Sequence, residues 1–317
     1  MKVGNKENKH MKKIFLYIAG IVLLASCDKK EVVKLNFDVK TDKQEYKLGD
    51  SVKFILSGNP DQVVFYSGEN GHKYDYKSRT EAESNEITLE FATNRRYGSD
   101  VDQPQSFRVF ASQKFNGIYS EENVKEASEW TEITSAFTLS AIMGNDNYTP
   151  SGAKNLLDLS SLGLNIDKTK PIYFAFKYKG TTGTTQPRWW VNKFDVKMKT
   201  SDGEVLTVTT IGDAGWKNVK FGNSPVLWTF NSDNTVKFQG GGAAVGSNEV
   251  WAVTKAIKLT SVTPDAGKPL KNMTTKLDGY SYYFSKPGTY KVTFDAFNVN
   301  IYGESRTVKS IEVKINP

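Results

Sequence analysis

The only thiol in the chain belongs to Cys27, the single cysteine among 317 residues. It directly follows Leu24-Ala25-Ser26, which ends in two small residues. Lys12 and Lys13 precede an apolar stretch over residues 14–24. A short basic region, a short apolar core and small residues before a cleavage point are typical of an export signal. The sequence therefore predicts an exported protein with its one thiol at the cleavage point.

The run Leu-Ala-Ser-Cys resembles the lipobox of bacterial lipoproteins. This resemblance implies cleavage before Cys27, thioether lipidation of its sulphur and acylation of the new amino terminus. Residues 1–26 would then be the signal peptide and residues 27–34 a polar tether. The alternative is a transmembrane helix, but a helix needs about 20 apolar residues to cross a bilayer. The apolar stretch is shorter than that, and charged residues follow it, so the lipoprotein interpretation is favoured.

The charge of the processed chain argues against nucleic acid as a partner. Residues 1–26 hold five lysines and one glutamate, so their removal lowers the formal net charge from +7 to +3. Nucleic-acid binding requires Lys and Arg clustered on one face, and no such cluster is evident. Once Cys27 is lipidated no thiol remains, so the fold must be stabilised by packing instead of disulfides.

Few residues could perform catalysis. The processed chain would keep one histidine, His72, which lies in a predicted turn. A Cys–His pair and a two-histidine metal site are therefore excluded, and no Gly-x-Ser-x-Gly motif is present. Glycoside hydrolysis needs only two carboxylates, but no compact acidic motif supplies them. We expect no enzyme, with a glycoside hydrolase as the least favoured alternative.

The tryptophans are the best candidates for binding a ligand. Aromatic rings stack on the apolar faces of sugars, while amide and charged groups fix the hydroxyls. Trp189 and Trp190 are adjacent, so on a strand they would point to opposite faces. One of them is expected in the core and the other exposed beside Arg188 and Asn192. Trp216, in a glycine-flanked stretch, is the further candidate.

Other conspicuous residues favour structural roles. Trp228 and Trp251 lie in apolar runs and are expected in the core. The Asn/Asp runs at 145–147 and 231–234 could hold a structural calcium ion through oxygen ligands, but both also suit simple turns. We expect no cofactor, with structural calcium as the alternative. The glycine run at 239–244 lacks the lysine of a phosphate-binding loop and predicts an ordinary loop.

The strands that position these side chains are predicted by period-two alternation of apolar residues. It recurs over residues 51–56, 172–178 and 289–296, and it places successive side chains on opposite sheet faces. Many short strands with frequent turn signals indicate an all-β protein built from β-sandwiches. One short helix is predicted over residues 120–129, with Ser120 as its cap.

The two ends of the chain look like halves of one sandwich. An immunoglobulin-like sandwich needs about seven strands, and residues 35–84 supply only three or four. Residues 263–317 supply the others. The sequence thus predicts a discontinuous domain, interrupted by an inserted domain over residues 85–262.

Specific runs support this split. Residues 45–54 resemble the opening of a PKD-type immunoglobulin-like domain, and residues 65–71 resemble its aromatic-Gly-Asp-Gly turn. Residues 282–292 resemble its late Pro-Gly-Thr-Tyr-x-Val strand, which Asn298 follows. The departure is Ser67-Gly68-Glu69, where that family has Phe-Gly-Asp. The resemblance implies a PKD-like sandwich at the two ends of the chain.

The insert resembles jelly-roll domains of the cleaved-adhesin and galactose-binding-like type. The similarity rests on Asp158-Leu159-Ser160, on the run over residues 172–180 and on the run over residues 189–194. Such jelly rolls often bind sugars or serve as adhesion modules. The resemblance therefore implies a jelly-roll insert with a binding role.

The whole arrangement behind a lipobox resembles an uncharacterised lipoprotein family of gut-type Bacteroidetes. Its members often accompany outer-membrane systems for glycan uptake. The resemblance implies an outer-membrane lipoprotein of the cell envelope that binds carbohydrate without catalysis. The alternative is a protein-interaction or adhesion module of an outer-membrane complex. A glycan or an outer-membrane protein is the expected partner, with the membrane reached through the lipid anchor alone.

Overall fold

The computed structural model describes residues 32–125, 129–201 and 203–317. Cys27 and the predicted signal peptide lie outside these residues. Regular structure in the described chain is almost entirely β-strand, which confirms the predicted all-β class. No helix within the described ranges is long and apolar enough to cross a membrane.

The strands are short, apart from two in each half of the fold. They are β1 (Phe37–Thr41), β2 (Glu45–Lys47), β3 (Val52–Gly58), β4 (Gln62–Tyr66), β5 (Ser84–Arg96), β6 (Phe107–Ser112), β7 (Thr131–Glu132), β8 (Thr149–Pro150), β9 (Lys154–Asn155), β10 (Tyr173–Gly180), β11 (Arg188–Thr200), β12 (Val205–Thr209), β13 (Lys217–Lys220), β14 (Thr229–Asn231), β15 (Thr235–Phe238), β16 (Asn248–Val253), β17 (Lys268–Lys271), β18 (Gly279–Tyr282), β19 (Gly288–Asn300) and β20 (Gly303–Asn316).

Helical structure is brief. The helix α1 (Glu121–Lys125) begins where the sequence predicts one, and the Ser120 hydroxyl accepts a hydrogen bond from the Asn123 N–H at 3.4 Å. Its acidic first turn favours the positive end of the helix dipole. Single 3₁₀ segments occupy Tyr74–Tyr76, Thr134–Ala136 and Leu156–Leu162.

The chain divides into two compact units. Among the described residues, the first unit combines residues 32–77 with Asp265–Pro317, and the second is Ser78–Pro264. The sequence-based boundaries, after residues 84 and 262, lie seven and two residues from these. The assignment of the units to the PKD-like and jelly-roll types stays a prediction.

The first unit is a sandwich of a three-stranded and a five-stranded sheet. The sheet orders are β1-β3-β18 and β17-β4-β19-β20-β2. Alternate residues of β3 are buried, as the period-two pattern predicts. The two sheets meet through aromatic rings, since Phe54 of the three-stranded sheet lies 5.1 Å from Phe294 and 5.7 Å from Phe65 of the five-stranded sheet between ring centroids. These ring contacts make the centre of the core.

The second unit is a larger sandwich. Its sheet orders are β13-β16-β10-β6-β7 and β14-β15-β11-β5-β8, with β12 pairing with β11 and β9 with β5. Phe176 on β10 lies at the centre of the core and is fully buried. On the outer face of the sheet that contains β10 and β16, Trp251 packs with Trp130 and Phe115 in a smaller cluster. Trp251 and Trp228 are both buried.

A β-bulge interrupts β11 and changes which residues face the core. The register against β5 shifts between Val191 and Lys193, so Asn192 is the extra residue. Trp189 and Val191 point inward before the bulge, and Phe194 points inward after it. A bulge inserts one unpaired residue and re-aims the side chains that follow. Asn192 is exposed as a result.

Glu69 fixes the turn at which the sequence departs from the PKD pattern. Its carboxylate accepts hydrogen bonds from the Tyr282 hydroxyl at 2.6 Å and from the Ser285 hydroxyl at 2.7 Å. Partial burial alone would raise the pKa of Glu69, but the bonds from Tyr282 and Ser285 outweigh it and lower the pKa. The carboxylate therefore ties the turn to the strand β18 and the segment after it.

Replacing Glu69 with Gln tests this tie. The folded chain lowers the pKa of Glu69 below its usual value of 4.5. The stability from Glu69 is therefore present above pH 4.5 and lost as the pH falls through the lowered pKa. Because the carboxylate is partly solvated, we expect its contribution to be about 0.5 kcal/mol. Urea unfolding at pH 7 and pH 3 should show a smaller acid loss for Glu69→Gln than for wild type. The exposed control Glu312→Gln should follow wild type, and equal acid losses in all three chains would contradict the role of Glu69.

Candidate functional site

A cavity of about 260 Å³ opens beside Trp216 in the second unit. Two segments form it, the loop before β13 and the β14–β15 hairpin. Its lining combines aromatic rings with amides and hydroxyls, and no carboxylate is among its described lining residues. Its lining includes Trp216, Phe230, Asn231, Ser232, Asn234 and Thr235.

The core fixes the orientation of Trp216. Its ring stacks on Phe176 with 4.9 Å between centroids and meets Phe194 edge-on at 5.0 Å. Its indole N–H donates to the Ile211 carbonyl at 2.9 Å. The polar atom of the side chain is therefore satisfied within the protein. The half-buried ring presents apolar surface to the cavity.

Phe230 supplies the second ring. It lies on the edge strand β14 and is 39% exposed, whereas the neighbouring Trp228 is buried. An edge-strand aromatic that lines a cavity and contacts no other ring among the described residues is available to a ligand.

The β14–β15 turn holds its own carboxylate internally. Asp233 accepts hydrogen bonds from the Thr235 hydroxyl and from the Thr235 N–H, the latter at 3.1 Å. It also pairs with Lys237 at 3.4 Å. The hydroxyl bond from Thr235 is the main cause of the lowered pKa of Asp233. The run at 231–234, for which calcium binding was only the alternative, therefore uses its carboxylate to shape the hairpin turn.

The same turn leaves polar groups unpaired at the cavity. Asn234 has φ of +58°, a left-handed conformation that Asn tolerates. Its side chain and that of Ser232 make no hydrogen bond within the described chain. A Cβ at Gly212 would come within 2.6 Å of Asn234 Oδ1, so the glycine leaves room for this amide. An amide and a hydroxyl are thus free beside two aromatic rings.

Trp189 and Trp190 lie on opposite faces of β11. Trp189 is buried and stacks on Phe107 at 4.9 Å, with its N–H donating to the Ser106 hydroxyl. Trp190 is half-buried on the outer face. Trp216 packs against the core side, so β11 separates Trp190 from the Trp216 cavity.

Cations already cover Trp190. The Arg188 guanidinium carbon lies 3.6 Å from the ring centroid, and the Lys237 ammonium lies 4.6 Å from it. Arg188 is buried and donates to Asn94 Oδ1 at 2.9 Å. The buried Trp190 N–H and Arg188 Nε lack partners among the described residues, but neither residue lines the Trp216 cavity. The stack is therefore a structural element.

The Asn/Asp run at 145–147 completes this element. Asp146 pairs with Arg96 at 2.8 Å and with Arg188 at 3.2 Å. The Asn94 side-chain amide donates to the Asn145 and Asn147 carbonyls. A carboxylate held by two guanidinium groups is a poor cation ligand. Within the described ranges, no group of three or more His, Cys, Asp and Glu side chains could hold a metal ion.

A second, wider cavity of about 540 Å³ lies beside Phe221. One of its amides, Asn248, is used internally: it donates to Gln186 Oε1 at 2.7 Å and accepts from the Val226 N–H at 3.0 Å. The described lining has one aromatic residue, Phe221, whereas that of the Trp216 cavity has two.

The cavities lack the paired carboxylates of glycoside hydrolysis. The Phe221 cavity includes Glu249, which pairs with Lys177 at 2.7 Å. A third cavity, of about 260 Å³ in the first unit, includes Asp75, which pairs with Lys291 at 2.9 Å. Each of these described linings has one carboxylate, and two are needed across the scissile bond.

His72 lies in an exposed loop, as predicted from the sequence. Its Nδ1 contacts the Ala266 carbonyl at 2.6 Å. The backbone of the loop closes through the Gly68 N–H, which donates to the His72 carbonyl. His72 therefore contributes to the structure of this loop.

The structure places side by side residues to which the sequence assigns different roles. Trp216 was predicted to contact a ligand, while the 231–234 run was interpreted only as a turn or calcium loop. Phe230, Ser232 and Asn234 were missed as ligand candidates. The available signal was an aromatic residue directly before an Asn-rich turn, but its proximity to Trp216 depends on tertiary packing.

Arg188→Lys tests whether the stack of Arg188 on Trp190 stabilises the fold. The change keeps the charge but removes the planar stacking on Trp190 and the fixed donor geometry. We expect the free energy of unfolding in urea to fall by about 1–2 kcal/mol. Arg108→Lys, at a more exposed pair with Glu132, is the matched control and should change stability little. An Arg188 variant as stable as wild type would contradict a structural stack.

The comparisons with known proteins give one match. The model of a family described as a domain of unknown function (DUF5017) matches residues 26–216. The match covers β1 to β12 and ends at Trp216, so it includes residues of both units. No curated protein and no solved structure matches the chain.

Proposed function

The chain belongs to the DUF5017 family, a domain of unknown function, and from its own geometry we propose that it is a cell-envelope lipoprotein that binds carbohydrate without catalysis. The observation that carries the proposal is the half-buried Trp216 ring beside the unpaired Asn234 and Ser232 side chains. Sugars present apolar C–H faces and many hydroxyls, which these two kinds of group match.

The size of the cavity supports a small bound unit. At about 260 Å³ it lies just below the range of about 300–1,000 Å³ for drug-sized ligands. The site therefore suits one or two residues of a longer glycan. Phe230, on the edge strand, would contact the next sugar residue of the glycan.

The composition of the lining supports binding without reaction. The described residues that line the Trp216 cavity include amides and hydroxyls but no carboxylate. Hydrolysis of a glycosidic bond requires a proton donor and a second carboxylate. The proposed role is therefore capture of glycan at the envelope.

The anchor completes the proposal. Lipidation of Cys27 would hold the protein on the outer membrane, with residues 27–34 as the tether. A PKD-like first unit and a jelly-roll second unit, in a glycan-uptake system of Bacteroidetes type, form part of the same proposal. The proposal is supported by the lipobox-like run and by the strand order of the two sheets in each unit.

Phe230→Ala tests the site without disturbing the core. The processed chain, residues 27–317, is screened on a glycan array, and affinities for the bound glycans are then measured by calorimetry. We expect Phe230→Ala to weaken binding about tenfold, since stacking contributes on the order of 1 kcal/mol. Tyr283→Ala, which removes a ring that is 65% exposed and outside the cavity, is the matched control.

Two outcomes would contradict this proposal. Unchanged affinity in a folded Phe230→Ala chain would remove the Trp216 cavity as the site. A blank array would favour a protein partner, which capture from outer membranes would then identify.

The anchor has a separate test. Cys27→Ser removes the sulphur that would carry the lipid, so we expect complete loss of metabolic labelling by palmitate. Lys40→Ser, at an exposed position on β1, should keep the label. Labelling that persists in Cys27→Ser would contradict lipidation at this residue.

A further inference from the structure

The hairpin of β19 and β20 ends in an exposed apolar tip. The strands pair as far as Asn300 and Gly303, which leaves Ile301 and Tyr302 as the turn. Ile301 is 90% exposed, Tyr302 is 57% exposed and the adjacent Val299 is 45% exposed. We call residues 299–302 the hairpin tip. Three large apolar side chains together in solvent indicate a contact surface.

The turn geometry does not require these residues. Turns are usually built from Gly, Asn, Asp, Pro and Ser. Here Asn300 supplies the local bond, because its side-chain oxygen accepts from the Tyr302 N–H at 2.8 Å. Gly303 follows with φ of +155°. The hairpin is closed by its flanking residues, so Ile301 and Tyr302 could be polar without cost to the turn.

The hairpin tip lies beside the start of the described chain. The Asn298 amide donates to the Val33 carbonyl at 3.1 Å, and the Ser305 hydroxyl accepts from the Leu35 N–H at 3.0 Å. A Cβ at Gly303 would lie 3.5 Å from the Val32 side chain. These contacts hold residues 32–35 against the hairpin near its tip.

Asn298 makes this position rigid. Its side chain is buried, and its oxygen also accepts from the Asp61 N–H at 2.7 Å. A buried amide with both ends bonded resists displacement, because any movement leaves buried polar groups unpaired. The point at which the tether joins the first unit is therefore fixed relative to the hairpin tip.

The tether is short enough to bring the hairpin tip to the lipid. Four residues separate Cys27 from Val32. The five steps from one Cα to the next span at most about 17 Å when fully extended. We propose that the hairpin tip inserts into the headgroup layer of the membrane that holds the Cys27 lipid. The proposal rests on the proposed lipidation, and it adds a second contact to a membrane expected to be reached through the anchor alone.

The chemistry of the hairpin tip suits a lipid surface. Tyr is favoured at the headgroup level, with its ring in the apolar boundary and its hydroxyl in water. Ile supplies apolar surface deeper in the layer. Behind the tip, Glu304 lies 3.6 Å from Arg306, whose guanidinium also donates to the Asp295 carboxylate.

A fluorescent reporter tests the contact independently of lipidation. The processed chain carries a histidine tag in place of Cys27 and is tethered to phosphatidylcholine vesicles that contain a nickel-chelating lipid. Glu304→Cys supplies a single thiol for the environment-sensitive dye NBD, close to the hairpin tip. The control position is Lys276→Cys, in an exposed loop where the lysine side chain is 85% exposed.

We expect vesicle tethering to shift NBD emission at position 304 to the blue and to raise its intensity about twofold. The shift should be absent at position 276 and lost when Ile301→Ser and Tyr302→Ser are added. Circular dichroism checks that this double variant is folded.

Three results would overturn the proposal. They are no shift at position 304 in tethered protein, an equal shift at both positions, and a concentration-dependent shift without vesicles, which would indicate self-association. Because the tag replaces the lipid, failure here leaves lipidation and glycan binding to their own tests.

Discussion

Contacts between aromatic rings hold the second unit together, and Phe176 is their centre. This one side chain on β10 meets Phe91 and Phe107 from β5 and β6, with ring centroids 5.7 and 5.3 Å apart, and it stacks on Trp216. Phe91 belongs to the opposite sheet, so the ring joins the two layers of the sandwich. With the chain's single cysteine outside the described residues, packing of this kind carries the stability that disulfides supply in many exported proteins. The candidate ligand site depends on it, because Phe176 orients Trp216.

The two tryptophan sites differ in how open their polar groups are to a ligand. On the outer face of β11, Arg188 stacks on Trp190 and bonds Asn94 and Asp146, while the Trp190 N–H and the Arg188 Nε are buried and lack partners among the described residues. Around Trp216, an amide and a hydroxyl have no partner within the described chain, and both side chains line the cavity. Aromatic and polar residues occur together at both places in the sequence. Access to a cavity, and not the pairing of polar groups alone, separates the two sites.

Much of the fold follows from local pattern, whereas the site does not. Alternation over 51–56, 172–178 and 289–296 predicts strands that the structure contains, because successive side chains of a strand point to opposite faces. The exposure of Asn192 was harder to derive, since the bulge in β11 shows in the sequence only as a shift in the apolar alternation between Val191 and Phe194. The carboxylate of Asp146 illustrates a second limit: its run suits calcium until Arg96 and Arg188, from distant strands, are placed beside it. Tertiary neighbours decide what such side chains do.

The first unit is assembled from both ends of the chain, and this has a consequence for folding during synthesis. Strand β2 pairs in parallel with β20, with Glu45 opposite Lys314. A chain that emerges amino terminus first presents β1 to β4 long before β17 to β20 arrive, and the second unit can fold in the interval because it is continuous. The first unit is thus the last to close. A truncated chain would leave β4 without its neighbour β19, exposing an unpaired strand edge that can pair with another chain. Closure of the first unit therefore marks a chain that has been synthesised to its end.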